Sequence, residues 1–144
     1  MVYVCGNGGD AMKYIIMLTI IIGLALVDFV TGIIKAYVKH DISSEKMRRG
    51  GLNKVTEILV MTTACGLEIG IGMLGAYYQT PQLAGVSGTV AAGAVFMYIV
   101  LMELVSILEN YGEISPDAVW VRSLIHKLRN FQKGENEDDP DHKA

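Results

Sequence analysis

The chain has 144 residues, of which 51% are hydrophobic and 19% charged, and its formal net charge is −3. The charges are unevenly spread, since Glu68 is the only charged residue between Glu57 and Glu103. A water-soluble domain needs charged groups over such a span, so the composition excludes one and predicts an all-α membrane protein. Cys5 and Cys65 match neither a disulfide framework nor a metal site, and we expect Cys65 to act as a small hydrophobe.

The first predicted elements are an external N-terminal tail over residues 1–11 and an apolar helix near Met12–Ile34. The tail lacks the basic region that opens a cleavable signal peptide, so we expect this helix to remain as a membrane span. A basic hinge follows the helix and is predicted to be a loop. Its cations are Lys39, Lys46, Arg48, Arg49 and Lys54.

Two further spans are predicted near Val55–Tyr78 and Leu83–Leu108, because about 20 mostly apolar residues cross the hydrocarbon core of a bilayer. The short connection Gln79–Gln82 makes these two helices an antiparallel hairpin. Lys and Arg concentrate in the hinge and in the C-terminal segment, and the hairpin turn has none. This pattern predicts a membrane domain over residues 12–109 with the N-terminus outside and the C-terminus inside.

Residues 110–133 are predicted to contain a separate amphipathic helix on the inner side of the membrane. The run Asn110–Gly112 should break the third span, and Ser115–Asp117 has the composition of a helix start. The helix is expected on the membrane surface or on a partner, and residues 134–144 are predicted to form a disordered acidic tail. The predicted surface residues are Trp120, Arg122, Leu124, Lys127, Leu128 and Arg129.

Four acidic residues lie in the predicted spans. Glu57 and Glu103 are near inner helix ends, where pairing with hinge or tail cations explains them, and Asp28 could pair with Lys35 or the hinge. Glu68 lies near the middle of the second span, where an acid costs about 3 kcal/mol of insertion free energy. We expect Glu68 to face other helices or water, either as a functional buried acid or as a satisfied hydrogen-bond acceptor.

Small residues mark faces through which the second and third spans should pack closely. Such faces suit an intrachain hairpin and an oligomer equally well, so both possibilities stay open. The residues are Gly66, Gly70, Gly85, Gly88, Ala92 and Gly93.

Two separated runs carry a family resemblance. The first is an acid, then T-G-x-x-K-A, then S-S near a basic G-G-x-x-K, and the second runs from Glu103 to Asn110 as E-x-x-S-I-L-x-N. Together they resemble the bacteriophage holin family that includes clostridial phage holins and toxin-secretion holins. The matching residues are Asp28, Thr31, Gly32, Lys35, Ala36, Ser43, Ser44, Gly50, Gly51, Lys54, Glu103, Ser106 and Asn110.

The resemblance implies a non-enzymatic protein of the bacterial cytoplasmic membrane. Such a holin oligomerises within the lipid bilayer and opens lesions that release endolysin, a separate cell-wall hydrolase, without any required direct binding. No nucleic acid, metal or cofactor is expected. Two alternatives stay open, namely a small ion or proton channel or transporter that uses Glu68, and a holin-like toxin-secretion protein.

Overall fold

The computed structural model describes residues 8–133, in which four α-helices and no strand occur. Helices α1, α2 and α3 form an antiparallel bundle, and α4 packs against α3. We call the end holding residues 39–43 the basic end, and the end holding Gln79 and Thr80 the turn end. Cys5 and the predicted acidic tail lie outside the described residues. The bounds are Gly8–Val38 for α1, Ser44–Tyr77 for α2, Pro81–Ile114 for α3 and Val119–Lys133 for α4.

Three of the helices are long and apolar enough to span a membrane, as the sequence predicted. Their spanning portions contain 28, 34 and 34 residues, and at about 1.5 Å per residue each exceeds the hydrocarbon thickness of about 30 Å. Large apolar side chains cover the outside of the bundle, including Leu26, Leu59 and Val90. An outer surface of this kind is suited to lipid and unsuited to water.

The predicted loop conformation of the basic hinge is wrong for most of its length. The connection spans residues 39–43 alone, and α2 begins at Ser44, so Lys46 and Lys54 lie on its first turns. Ser43 is extended and precedes a run of Glu, Lys, Met and Arg, all good helix formers. The end of α1 is closed by His40, which adopts a φ of 53°, and by a 3.0 Å bond from the Asp41 amide to the Ala36 carbonyl.

The predicted break at Asn110–Gly112 is also wrong, because α3 continues to Ile114. The Asn110 side chain donates across the bundle to Asp28 at 3.0 Å, and Gly112 packs against α4. These tertiary contacts outweigh the weak local helix preference of Asn and Gly. The start of α4 differs too, since Ser115 ends α3 by donating its amide to the Tyr111 carbonyl at 2.8 Å.

The bundle core is an apolar layer contributed by all three long helices. Ile21 of α1, Met61 and Cys65 of α2, and Ile99 of α3 are buried together. Cys65 therefore acts as a small hydrophobe, as expected. Partly buried neighbours complete the layer, and they are Tyr14, Met17, Leu18, Ile58, Val95 and Phe96.

The small residues divide between two environments. A Cβ added at Gly75 would clash with the Ala84 Cβ, and one at Gly88 would lie 3.2 Å from the Glu68 Cα. These glycines, with buried Ala92, allow α2 and α3 to approach closely within one chain. Around the Cβ positions of the remaining predicted packing glycines there is open space, and these are Gly66, Gly70, Gly85 and Gly93.

Candidate functional site

The first polar site lies toward the basic end, where one lysine joins three helices. Lys54 Nζ of α2 lies 2.8 Å from Asp28 Oδ2 of α1 and 2.7 Å from Glu103 Oε2 of α3. Glu57, one turn further along α2, has its Oε2 3.4 Å from the same ammonium. Glu103 is only 1% exposed. The bundle therefore holds a lysine and three carboxylates inside it, which we call the Lys54 cluster together with Thr31 and Asn110.

Asn110 completes the coordination of Asp28. Its Nδ2 donates to Asp28 Oδ1 at 3.0 Å and lies 3.2 Å from Thr31 Oγ1. Each Asp28 carboxylate oxygen thus has its own partner, one a hydrogen-bond donor and the other an ammonium group. The hinge cation that pairs with Asp28 is Lys54, whereas Lys35 pairs instead with Glu113 at 3.4 Å.

The second polar site lies toward the turn end. Glu68 Oε1 accepts hydrogen bonds from Lys13 of α1 and from Thr89 Oγ1 of α3, the latter at 2.8 Å. Glu68 is buried, and its Oε2 has no hydrogen-bond partner among the described residues. Lys13 also lies over the Tyr14 ring, 4.8 Å from its centroid. We call Lys13, Glu68 and Thr89 the Lys13 cluster.

Sequence reasoning did not identify Lys13 as a site residue. The signal lay in the helical spacing, because Lys13, Met17, Ile21 and Asp28 recur at intervals that place them on one face of α1. On α2 the same periodicity places the two clusters on the inward face, with buried Met61 between them. Comparing the inward faces of α1 and α2 would have indicated that Lys13 of α1 faces Glu68 of α2.

The Lys13 cluster and the Lys54 cluster are separated by nearly the same number of residues on each of the three helices. They lie 14 or 15 residues apart on each helix, which is about 21–23 Å at 1.5 Å per residue. This separation is shorter than the hydrocarbon thickness of a bilayer, which is about 30 Å. The corresponding residue pairs are Lys13 and Asp28, Lys54 and Glu68, and Thr89 and Glu103.

The two sequence runs that carry the family resemblance converge on one cleft at the basic end. This cavity has a volume of about 460 Å³ and is bordered by α1, the start of α2 and the last turns of α3. Its floor contains Asp28, Lys54 and Asn110 of the Lys54 cluster. Thr31, Ser44, Gly51 and Glu103 lie outside its lining. The motif residues that line it are Asp28, Gly32, Lys35, Ala36, Ser43, Gly50, Lys54, Ser106 and Asn110.

Helix α4 leaves large apolar side chains exposed, although the Trp120 ring also lies 6.3 Å from the Tyr111 ring of α3. Val121 is fully buried against α3, and Arg129 forms an ion pair with Glu109. Trp120 is 61% exposed and Phe131 74% exposed. Leu124, Arg122 and Lys127 are also exposed, whereas Leu128 is partly buried. The predicted surface residues therefore separate into an exposed set and a set that attaches α4 to the bundle.

Three membrane-length helices around two internal ion-pair layers define a multi-pass helical membrane protein. The chain belongs to the bacteriophage holin family, whose model matches residues 10–130. The matched region contains both clusters and the cleft. No curated protein and no solved structure matches the chain. The predicted family is confirmed, and the narrower likeness to clostridial and toxin-secretion holins stays a prediction. Members of the family are normally membrane proteins without enzymatic activity.

Proposed function

We propose that this holin oligomerises in the bacterial cytoplasmic membrane and forms lesions through which a separate endolysin reaches the cell wall. The observation that carries the proposal is the Lys13 cluster, in which a bundle with a lipid-suited exterior buries Glu68 and pairs it with the partly exposed Lys13. A chain built in this way can remain in the bilayer as a closed bundle. It can also supply charged groups to a water-filled opening when its helices rearrange.

The distribution of charge supports an orientation with the basic end inside the cell. Lys39, Lys46 and Arg48 lie at this end, together with the basic residues of α4, whereas the turn at Gln79 and Thr80 has no charge. Basic residues flanking spans are retained on the cytoplasmic side. The exposed Trp120 face of α4 would then lie in the inner interface, where an amphipathic helix buries its apolar side.

Contacts between copies are proposed to involve the small residues that the chain itself leaves uncovered. Gly66 and Gly70 lie four residues apart on α2 with open space around their Cβ positions. Such a pair allows the backbone of another helix to approach closely. Gly88 and Ala92 are already used inside the chain, so they contribute to the protomer rather than to the assembly.

Opening is proposed to exchange the contacts of Glu68 for water. In the closed bundle its Oε1 is held by α1 and α3, while Oε2 lacks a partner among the described residues. Separation of α1 from the α2–α3 hairpin would hydrate both oxygens and Lys13. The rearranged protomers would then turn these groups toward the lesion and their apolar faces toward lipid.

The proposal is tested by producing the chain in bacteria together with a cytoplasmic endolysin. We expect the membrane potential to collapse and the cells to lyse, with neither event when the endolysin is produced alone. Cells that keep their potential and remain intact would overturn the proposal. Leakage of ions without passage of the endolysin would instead favour the small channel or transporter.

Glu68→Gln separates the same two functions. In an ion-coupled channel this change removes the titrating group and abolishes flux while oligomers stay normal. In a holin it alters the timing of lysis and the distribution of oligomers. The result expected here is the second. Passage of a folded reporter enzyme out of intact cells would favour the secretion role.

A further inference from the structure

The cleft at the basic end has the size and shape of a ligand site. Its volume of about 460 Å³ falls in the range of small-molecule pockets. Gly32 and Gly50 stand on opposite walls, and a Cβ at Gly50 would meet nothing within 4 Å. Side chains larger than glycine at these positions would fill part of the space. The cavity is therefore a feature of the backbone arrangement as well as of its side chains.

The wall supplied by α1 changes from apolar to cationic along its length. Phe29 and Ile33 line the part nearer the middle of the bundle, and Lys35 and Lys39 line the part nearer the basic end. Phe29 and Lys35 are six residues apart, about 9 Å along α1, and Lys39 directly follows the end of this helix. The cleft thus offers an apolar surface and a cationic rim in the order in which a bilayer presents acyl chains and headgroups.

The rim carries positive charge that its own carboxylates do not neutralise. Lys35 and Lys39 both pair with Glu113, so two ammonium groups share one carboxylate. Lys46 pairs with Asp41 on the opposite side. These pairs are solvent-exposed, and exposed pairs are weak enough to exchange with another anion. Lys54 differs because its ammonium group is already paired with Asp28 and Glu103 inside the bundle. It therefore belongs to the floor of the cleft and not to its rim.

We propose that this cleft binds one anionic phospholipid, with its phosphodiester at Lys35, Lys39 and Lys46 and an acyl chain along Phe29 and Ile33. The inference rests on the proposed inward orientation of the basic end, which places the rim at the inner leaflet. A phosphodiester presents the oxygen acceptors that ammonium groups favour, and the leaflet supplies anionic lipid in excess. The site holds a bound lipid, in addition to general attraction between basic residues and the membrane surface.

The test is native mass spectrometry of the purified full-length chain in detergent with added phosphatidylglycerol or phosphatidylcholine. We expect one retained phosphatidylglycerol and little phosphatidylcholine. The double variant Lys35→Gln, Lys39→Gln should weaken retention about tenfold or more. The matched control Arg48→Gln, Arg49→Gln removes two exposed cations from the same end outside the cleft, and should change retention by about twofold or less. Far-UV circular dichroism checks that each variant is folded.

Two further arms identify the source of the phosphate. Inorganic phosphate and the deacylated glycerophosphoglycerol headgroup are added as competitors. If either displaces the lipid at equal concentration, the site binds a free phosphate and the lipid assignment is wrong. Equal losses in the cleft and control variants would show surface attraction alone and overturn the proposal. Because binding is measured without lysis, a chain that lyses cells but retains no lipid refutes this inference and leaves the proposed function standing.

Discussion

Replacing Lys54 with methionine removes the single ammonium group from the Lys54 cluster while keeping most of the side-chain volume. Asp28 and Glu103 would then keep their burial and lose their cation, with side-chain exposures of 9% and 0%. Removing one partner of a buried pair leaves an uncompensated charge and destabilises a fold by about 3–5 kcal/mol. Since the Lys54 side chain is itself only 17% exposed, solvent screening reduces this figure little. We expect Lys54→Met to lower the free energy of unfolding by about 3–5 kcal/mol.

The free energy is measured in mixed detergent micelles by titrating a denaturing detergent and following helicity by circular dichroism. The matched control is Lys46→Met on the same helix, whose pair with Asp41 is 67% and 63% exposed. This control should leave the free energy of unfolding nearly unchanged, because solvent screens an exposed pair. Adding Glu103→Gln to Lys54→Met should recover part of the loss, because it removes one of the stranded charges. If Lys54→Met and Lys46→Met have the same effect, the cluster does not hold the three helices together.

Three further outcomes are expected. Lys13→Met should destabilise the bundle by about 1–3 kcal/mol, less than for a fully buried pair because the Lys13 side chain is 35% exposed, and should shift the onset of lysis. Adding Glu68→Gln should recover part of the loss, and an unchanged onset with unchanged thermal unfolding would contradict the Lys13 cluster. Gly88→Ala should lower the free energy of unfolding by about 1–3 kcal/mol, because its Cβ would press on the α2 backbone, and a neutral result in the same titration would place the hairpin contact elsewhere. The Lys46 ammonium, by its hydrogen bond and charge, lowers the pKa of Asp41. This pair therefore stabilises the chain at pH values above the ordinary pKa of Asp, and the stabilisation is lost as pH falls through the lowered pKa. In an NMR titration Lys46→Gln should raise the titration midpoint of Asp41, and an unchanged midpoint would argue against the pair.

The bundle must present apolar side chains to lipid and also cover the charged side chains between its helices, and these two requirements explain its arrangement. Two layers of ion pairs between membrane-length helices are expensive unless every helix remains in place to cover them. The apolar layer of Ile21, Met61 and Ile99 between them keeps the two sets of charges apart. A bundle of this kind has a stable closed form and a polar interior, which is the combination that the proposed opening requires.

The sequence alone determined the three spans, the hairpin and the family. Long apolar runs with a single charge between Glu57 and Glu103 can only face lipid or one another, and a short connection forces neighbouring spans to be antiparallel. The family motifs could be recognised because they are local patterns of residue type. The cleft that these motif residues line could not be predicted from the sequence, because its walls come from three different helices.

Only the tertiary structure decided which charges pair, where α2 begins and where α3 ends. Lys13 and Glu68 are 55 residues apart in the chain, and Lys54 and Glu103 are 49 apart, so no local pattern connects them. Asn110, which favours a turn locally, stays helical because Asp28 of another helix accepts its hydrogen bond. The physical reason is common to these cases, since a buried polar group takes its conformation from the distant partner that satisfies it.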